Sequence, residues 1–502
     1  MAGPSSIRLG DIQLLSGMRG ETARLDPDTP FRILILGDFR GESRNAAKPF
    51  AQRRPVAVDR DNVDEVLAKF APQITIPIGP TRAPVTLRFH EIDDFEPDRI
   101  YDRLDVFASF GALRKQLQNP ATFAGAAEAI RGWVGADAPP SLSPTPTSNA
   151  AVEIAIAEIL GDTRNATPRS PQRSEWDDFL HRIAGPHLIA AADPGLADYQ
   201  HVLEEAISAL MRAVLHHADF QALEALWRGI AFLARRLETD AFLSIHLLDA
   251  TRDELAADMA VDDLDKLILY EQVVTRTVGT SGGQPWAVVV GHYTLGATVA
   301  DLELLANVAQ ISQATGTSFI AGADARLVGC PSLHASPDID DWQPDEAVSA
   351  AWQRLRSLPA AKYLALAMPR FLLRLPFGKR GNRTERFDFD EMPKGSPHES
   401  LLWGNSALVC ATLLGQAFSA DGWNLDPSRT AELSGLPIHV YEDEGERRAK
   451  PCGEIAFRDK ALEHIVDSGL IAILSQSASD RVRVARMQSI AATPLAGRWR
   501  DR

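Results

Sequence analysis

The sequence predicts an α/β protein built on mixed sheets, with helices packed on the sheet faces. Three observations carry that reading. Short apolar runs recur at 30–39, 241–249, 285–293, 319–323, 362–369 and 470–474. Segments of helical period lie between them, at 199–217, 219–236, 262–277 and 299–315. Such an alternation points to a mostly parallel or mixed sheet covered by helices. The third observation is the run 213–238, AVLHHADFQALEALWRGIAFLARRLE. It places Phe220, Leu223, Leu226, Trp227, Ile230, Phe232 and Leu233 at spacings suited to burial on a helix.

Taken in order, PFRILILGDF (30–39) reads as a β-rich run ending in a turn. VDRDNVDEVLAKFAP (58–72) reads as a helix, with Asp59 or Asp61 as N-cap, Val63, Val66, Leu67 and Phe70 as its apolar face, and Pro72 as its stop. ITIPI (74–78) and VTLRFHEI (85–92) read as strands. A helix is expected within 93–117, after Pro97, with acidic residues near its positive end. LPIHVY (436–441) reads as a further strand.

The chain of 502 residues has room for roughly three domains. Three parts are expected: 1–132, a linker-containing stretch 133–175, and 176–502. The linker is argued from PPSLSPTPTS (139–148) and GDTRNATPRSPQRS (161–174), which have little to bury. Between them AAVEIAIAEIL (150–160) reads as a short helix with Val152, Ile156, Ile159 and Leu160 on one face. A helix this short is marginal alone, so it is expected to need a partner.

Hydrophobic residues make up 45% and charged residues 24%, as in ordinary globular proteins. Asp and Glu number 67 against 52 Lys and Arg, and the net charge of −15 argues against nucleic-acid binding. Cys330, Cys410 and Cys452 are far apart and read as free thiols in a reducing compartment. The N-terminus lacks a charged start followed by an apolar core, and no apolar run reaches about 20 residues. No membrane insertion is expected, and the chain is expected in the cytoplasm.

Chemistry-bearing patterns are few. Gly279-Thr-Ser281-Gly-Gly283 fits G-x-S-x-G, with His292 and Asp301 as conceivable partners. A nucleophile elbow needs a strand before the serine and a helix after it. Here the order reads as helix then strand, so a glycine-rich turn is the expectation and a serine hydrolase the alternative. There is no phosphate-cradling G-x-x-x-x-G-K-[ST]. Adjacent His216 and His217 point about 100° apart on a helix and make poor joint metal ligands. Asp338, Asp340, Asp341 and Asp345 lack the order of a calcium loop. No cofactor or metal is expected. Arg370, Arg374, Lys379, Arg380, Arg383 and Arg386 sit among Phe371, Leu372, Leu373, Leu375 and Phe377. That mixture favours a packed or interface element, with a solvated loop as the bland alternative.

Two stretches resemble the small and large sheath subunits of bacterial type VI secretion systems, usually separate chains. PFRILILGDFRG, VDRDNVDEVLAKFAP and DDFEPDRI within 30–117 resemble the small subunit. Asp219-Phe220-Gln221, Leu223-Glu224 and Trp227-Arg228-Gly229 resemble a signature of the large one. So do LILYEQVVTRTVGTSGGQPWAVVVGHY (267–293), FIAGADARLVG (319–329), KYLALAMPRFLLRLPFG (362–378), FDFDE (387–391), HESLLWGNSALVCAT (398–412) and GLPIHVY (435–441). The resemblance implies a fused, non-enzymatic structural subunit that assembles into rings and a contractile sheath around an inner tube. Contraction would then eject that tube. Baseplate components and a Clp-type AAA+ unfoldase are implied as further partners. The helix at 150–160 stands where the family presents its unfoldase-binding helix. Phe220, Trp227, Arg370, Arg374 and Trp403 are expected to carry packing or interface roles. The family's large subunit continues into a C-terminal domain beyond the ARMQSIAATP segment (485–494), and IRLGDIQLL (7–15) is short for the small subunit's first strand. The competing reading is therefore a sheath-derived accessory, such as a cap, regulator or baseplate-associated component.

Overall fold

Phe31, Ile33 and Ile35 point to one side of a strand and Leu34 and Leu36 to the other, and all five are fully buried. A strand apolar on both faces needs cover on both, which is the demand of a sheet interior. The computed structural model describes residues 28–43, 47–78, 83–132, 195–261, 263–379, 381–393, 397–427, 432–443 and 445–500, together with two short strands near the N-terminus. The expected linker and the helix at 150–160, with Val152, Ile156, Ile159 and Leu160, lie outside the described residues.

The first two strands, β1 (Ile7–Leu9) and β2 (Ile12–Leu14), form an antiparallel hairpin. Then come β3 (Phe31–Gly37), β4 (Val56–Val58), helix α1 (Val63–Phe70) and the pair β5 (Gln73–Ile78) and β6 (Ala83–Arg88). Helices α2 (Pro97–Arg103), α3 (Asp105–Gln118) and α4 (Phe123–Gly132) close this part. The long helices α5 (Leu196–Leu215) and α6 (Ala218–Arg236) follow. Next are β7 (Leu243–Asp249), α7 (Arg252–Asp258), β8 (Val288–Leu295), α8 (Val299–Thr315), β9 (Ser318–Ala323), α9 (Glu346–Arg356) and β10 (Leu364–Met368). The chain continues through β11 (Phe371–Leu372), β12 (Trp403–Gly404), α10 (Ser406–Asp421), β13 (Glu432–Leu433), β14 (Val440–Asp443) and β15 (Glu446–Ala449). It ends with α11 (Asp459–Asp467), β16 (Ile471–Ser475) and β17 (Val482–Val484).

Nine strands form one mixed sheet in the order β13-β17-β16-β10-β9-β8-β3-β7-β4. The block from β16 to β7 is parallel, and antiparallel strands finish both edges. One face is covered by α1, α5, α6 and α10, the other by α8, α9 and α11. The expected α/β class with helices on both sheet faces is therefore what the chain adopts.

Several local expectations need correction. Helix α1 starts at Val63 after Asn62, and Asp59 instead accepts the backbone N–H groups of Asp61 and Asn62 in a turn, each at 2.9 Å. The helix expected within 93–117 is two helices, interrupted at Leu104, whose backbone is extended. Of the helix expected at 262–277, residues 264–275 form short helical turns, including a π-helical turn at Glu271–Thr275. Of the strand expected at 436–441 only Val440 and Tyr441 are extended, in β14, and they belong to the separate β14–β15 hairpin rather than the large sheet.

Candidate functional site

Strand β3 comes from the first part of the chain, yet its sheet neighbours β7 and β8 come from the second. Its register with β7 runs without a break from Phe31 opposite Leu243 to Gly37 opposite Asp249. The seam between the two parts is thus a continuous backbone ladder, and of the sequence-predicted packing residues Phe220 and Trp227 lie beside it.

Helix α6 crosses this seam. Phe220 meets Phe89 and Phe95 edge-on, with ring centroids at 6.0 and 5.8 Å. Two turns later Trp227 packs edge-on against Phe39 and Phe70, at 5.5 and 5.7 Å. Its indole N–H donates to the Phe39 carbonyl at 3.2 Å. All six aromatic residues are buried. Edge-to-face packing adds to the area term, and the indole N–H finds the partner that burial demands. At the carboxyl ends of β3 and β7, Asp249 accepts the Phe39 N–H at 3.1 Å and faces Arg40 and Arg53 at 3.4 and 3.3 Å. Burial pushes the Asp249 carboxyl up to about 6, against the pull of both guanidiniums.

Arg374 enters the same interior. Its guanidinium forks between Glu224 of α6, at 2.8 Å from Nε, and Glu391, at 2.8 Å from Nη1. Glu224 also accepts from Arg228 Nε at 2.7 Å. Glu391 accepts the Phe377 N–H at 2.7 Å and faces His216 Nε2 at 3.5 Å. Both carboxylates are essentially inaccessible to solvent. Burial alone would raise the Glu391 carboxyl. Arg374, the nearby His216 and the Phe377 N–H outweigh it and hold the group at about 2. The Arg374 guanidinium is correspondingly held well above its ordinary value, the two carboxylates outweighing burial. A buried charge set like this stands only when every member is paired.

Arg370 serves a second, half-exposed group. It forks onto Glu454 at 2.5 and 3.1 Å, and His398 Nε2 lies 3.0 Å from the same carboxylate. Trp403 sits beneath, its indole N–H on the His398 carbonyl at 3.0 Å and its ring 6.0 Å from the Arg370 guanidinium carbon. Of the rest of the stretch, Lys379, Arg383 and Arg386 stay exposed at the surface. Arg386 pairs with Asp102 at 2.8 Å, and the Glu385 and Arg386 N–H groups bond Asp98 at 2.8 and 3.1 Å. Tyr101 stacks on Phe387 at 5.0 Å, and Arg114 pairs with Glu204 at 3.0 Å. The 385–387 segment therefore clasps α2, while Arg370 and Arg374 bind carboxylates elsewhere. From sequence, Glu224 and Glu391 stand only within the motifs Leu223-Glu224 and FDFDE, without a pairing role, and Glu454 is not singled out. The signal available was an isolated Glu on an otherwise apolar α6 face and the acid ending FDFDE.

The hydrolase constellation does not assemble. Ser281 is exposed in a turn between the helical segment ending at Thr275 and β8, the reverse of the elbow order. Asp301 caps α8 through Thr298 and pairs with Arg252 at 2.5 Å. His292 Nε2 is buried without a hydrogen-bond partner among the described residues, so it holds no serine hydroxyl. Burial lowers its imidazole to about 4. Asp338 and Asp345 cap short helices at Asp340 and Val348 N–H groups. No group of three or more possible metal ligands occurs among the described residues. No described helix is long and apolar enough to cross a membrane.

Residues 199–491 match the family of VipB (EvpB), the tail sheath N-terminal domain. Residues 17–134 match the type VI secretion system family VipA. The type VI secretion system sheath protein TssC1 of Pseudomonas aeruginosa is 30% identical over 297 residues, which are 57% of this chain and 60% of that protein. The chain thus spans about 60% of the length of that relative.

Proposed function

Because the chain belongs to the type VI secretion tail sheath family, with a VipA-type and a VipB-type region fused in one polypeptide, we propose that it is a single-chain sheath protomer. In this reading it assembles through protein–protein interfaces into rings and a sheath around an inner tube. Contraction, a concerted change of many equivalent interfaces between two packings, then ejects the tube. It works from the cytoplasm and uses no catalysis of its own. Baseplate components anchor the assembly, and a Clp-type AAA+ unfoldase recycles it through the segment 150–160.

The observation that supports this most is the position of β3. A VipA-type strand with VipB-type neighbours on both sides makes the two regions one mechanical unit. A load applied to either region is carried by a seven-residue ladder rather than by the linker. Arg374 and Arg370 support a structural role as well, since their charges are committed to largely buried carboxylates.

Electron microscopy of the purified protein, alone and with inner tube protein, tests the proposal. Hollow tubes with a six-fold ring repeat are expected. Particles bound only at tube ends would favour an accessory, and an activity lost in Ser281→Ala would favour a hydrolase.

A further inference from the structure

The pair β5–β6 stands outside the large sheet, and among the described residues β6 pairs only with β5. A groove of about 340 Å³ runs between β6 and α2. Its walls include five consecutive residues, Thr86 to His90, facing Ile100, Arg103 and Leu104. Successive strand residues point to opposite faces, so a groove touching five in a row follows the strand's edge.

That edge carries free backbone groups. The Phe89 N–H bonds the Pro72 carbonyl at 3.1 Å, which makes 72/89 a hydrogen-bonded pair. In the antiparallel register, Leu87 with Ile74 and Val85 with Ile76 are then bonded too. Thr86 and Arg88 therefore turn their N–H and C=O groups away from β5, into the groove. Among the described residues, only the Arg88 carbonyl gains a partner there, Arg103 Nη1 at 3.3 Å. Leu87, Phe89, Ile100 and Leu104 form a buried apolar floor, while Thr86, Arg88, His90 and Arg103 form an exposed rim.

The rim is cationic. Asp94 is the one acid lining the groove, and its oxygens are committed to Arg103 and to the His90 N–H at 2.6 Å. Arg88 bonds the neutral Gln73 side chain at 3.0 Å, which leaves its charge uncompensated.

We propose that the groove between the β6 edge and α2 is a docking site for an extended acidic peptide segment of a partner protein. The segment would add as a strand, taking main-chain bonds from Thr86 and Arg88. Alternate side chains would lie on the apolar floor, and a carboxylate would reach Arg88.

The test uses the full-length protein and a fluorescein-labelled octapeptide of alternating valine and glutamate. Saturable binding is expected, with amide exchange slowed at Thr86 and Arg88. Thr86→Pro removes an outward N–H without breaking a β5–β6 bond, a placement proline tolerates. It is expected to weaken binding about tenfold or more, as is Arg88→Glu, one lost contact of this kind being worth about that factor. The lysine-for-glutamate peptide should bind at least about tenfold more weakly. Absence of saturable binding, or binding indifferent to both substitutions, overturns the proposal. Amides at Thr86 and Arg88 already protected in the free monomer would assign the groove to the chain's own backbone. Self-association abolished by Thr86→Pro would assign it to a second copy. Either result would refute the partner assignment.

Discussion

Trp227 reaches across the seam to Phe39, donating its indole N–H to the Phe39 carbonyl at 3.2 Å while the two rings meet edge-on at 5.5 Å. One residue lies in the VipB-type region and the other in the VipA-type region.

Replacing Trp227 by Ala should cost about 3–5 kcal/mol, as large-to-small changes in cores do. Trp227→Phe keeps a ring but leaves the Phe39 carbonyl without its donor, and should cost roughly 1–3 kcal/mol. Urea titration followed by circular dichroism separates the two. An unchanged midpoint in Trp227→Ala would mean that the indole does not anchor the seam.

Gly229 lies two residues beyond Trp227 on the same helix, where α6 approaches α10. A Cβ there would stand 2.6 Å from Leu408 Cδ1, and Leu408 is fully buried. Gly229→Ala should therefore destabilise, by about 1–3 kcal/mol, although alanine is the better helix former. Thermal melting of the variant checks the sign.

A protease site placed between residues 135 and 175 and then cut should leave two fragments that co-elute on a sizing column. The β3 ladder and the Trp227 and Phe220 clusters hold them after the covalent link is gone. Fragments that separate freely in native buffer would contradict a shared sheet.

Arg374→Met should cost about 3–5 kcal/mol, because Glu224 and Glu391 would remain buried without their common partner. The same site sets an acid limb. Glu391 is held at about 2, below its ordinary 4.5, so its stabilisation is present above pH 4.5 and is lost as pH falls towards 2. In acid titrations of stability, wild type should decline more steeply than Glu391→Gln between those values. Parallel curves would show that the carboxylate titrates alike in folded and unfolded chains.

Much of the fold was legible from sequence. α8 begins and ends where 299–315 was read, because Thr298 and Asp301 form a capping box and Gly316 closes the far end in a left-handed turn. Phe220 and Trp227 were legible as buried because α6 has an apolar stripe at helical period. Helix α10 was not read as a helix. It is buried on nearly every side, from Ser406 to Phe418, so no polar face marks its period.

By itself, the sequence determined many of the strands and helices, the buried faces of α1 and α6, and the kinship of both regions. Those properties reside in local pattern: period, caps, turn residues and apolar runs. Only the tertiary structure decided that β3 lies between β7 and β8, that Arg374 finds Glu224 150 residues away, and that Arg370 finds Glu454. The physical reason is that a guanidinium attracts any carboxylate alike, and an apolar strand edge fits many neighbours. Which partner it meets is fixed by the packing of the whole core, where each buried charge must be matched or the fold is lost.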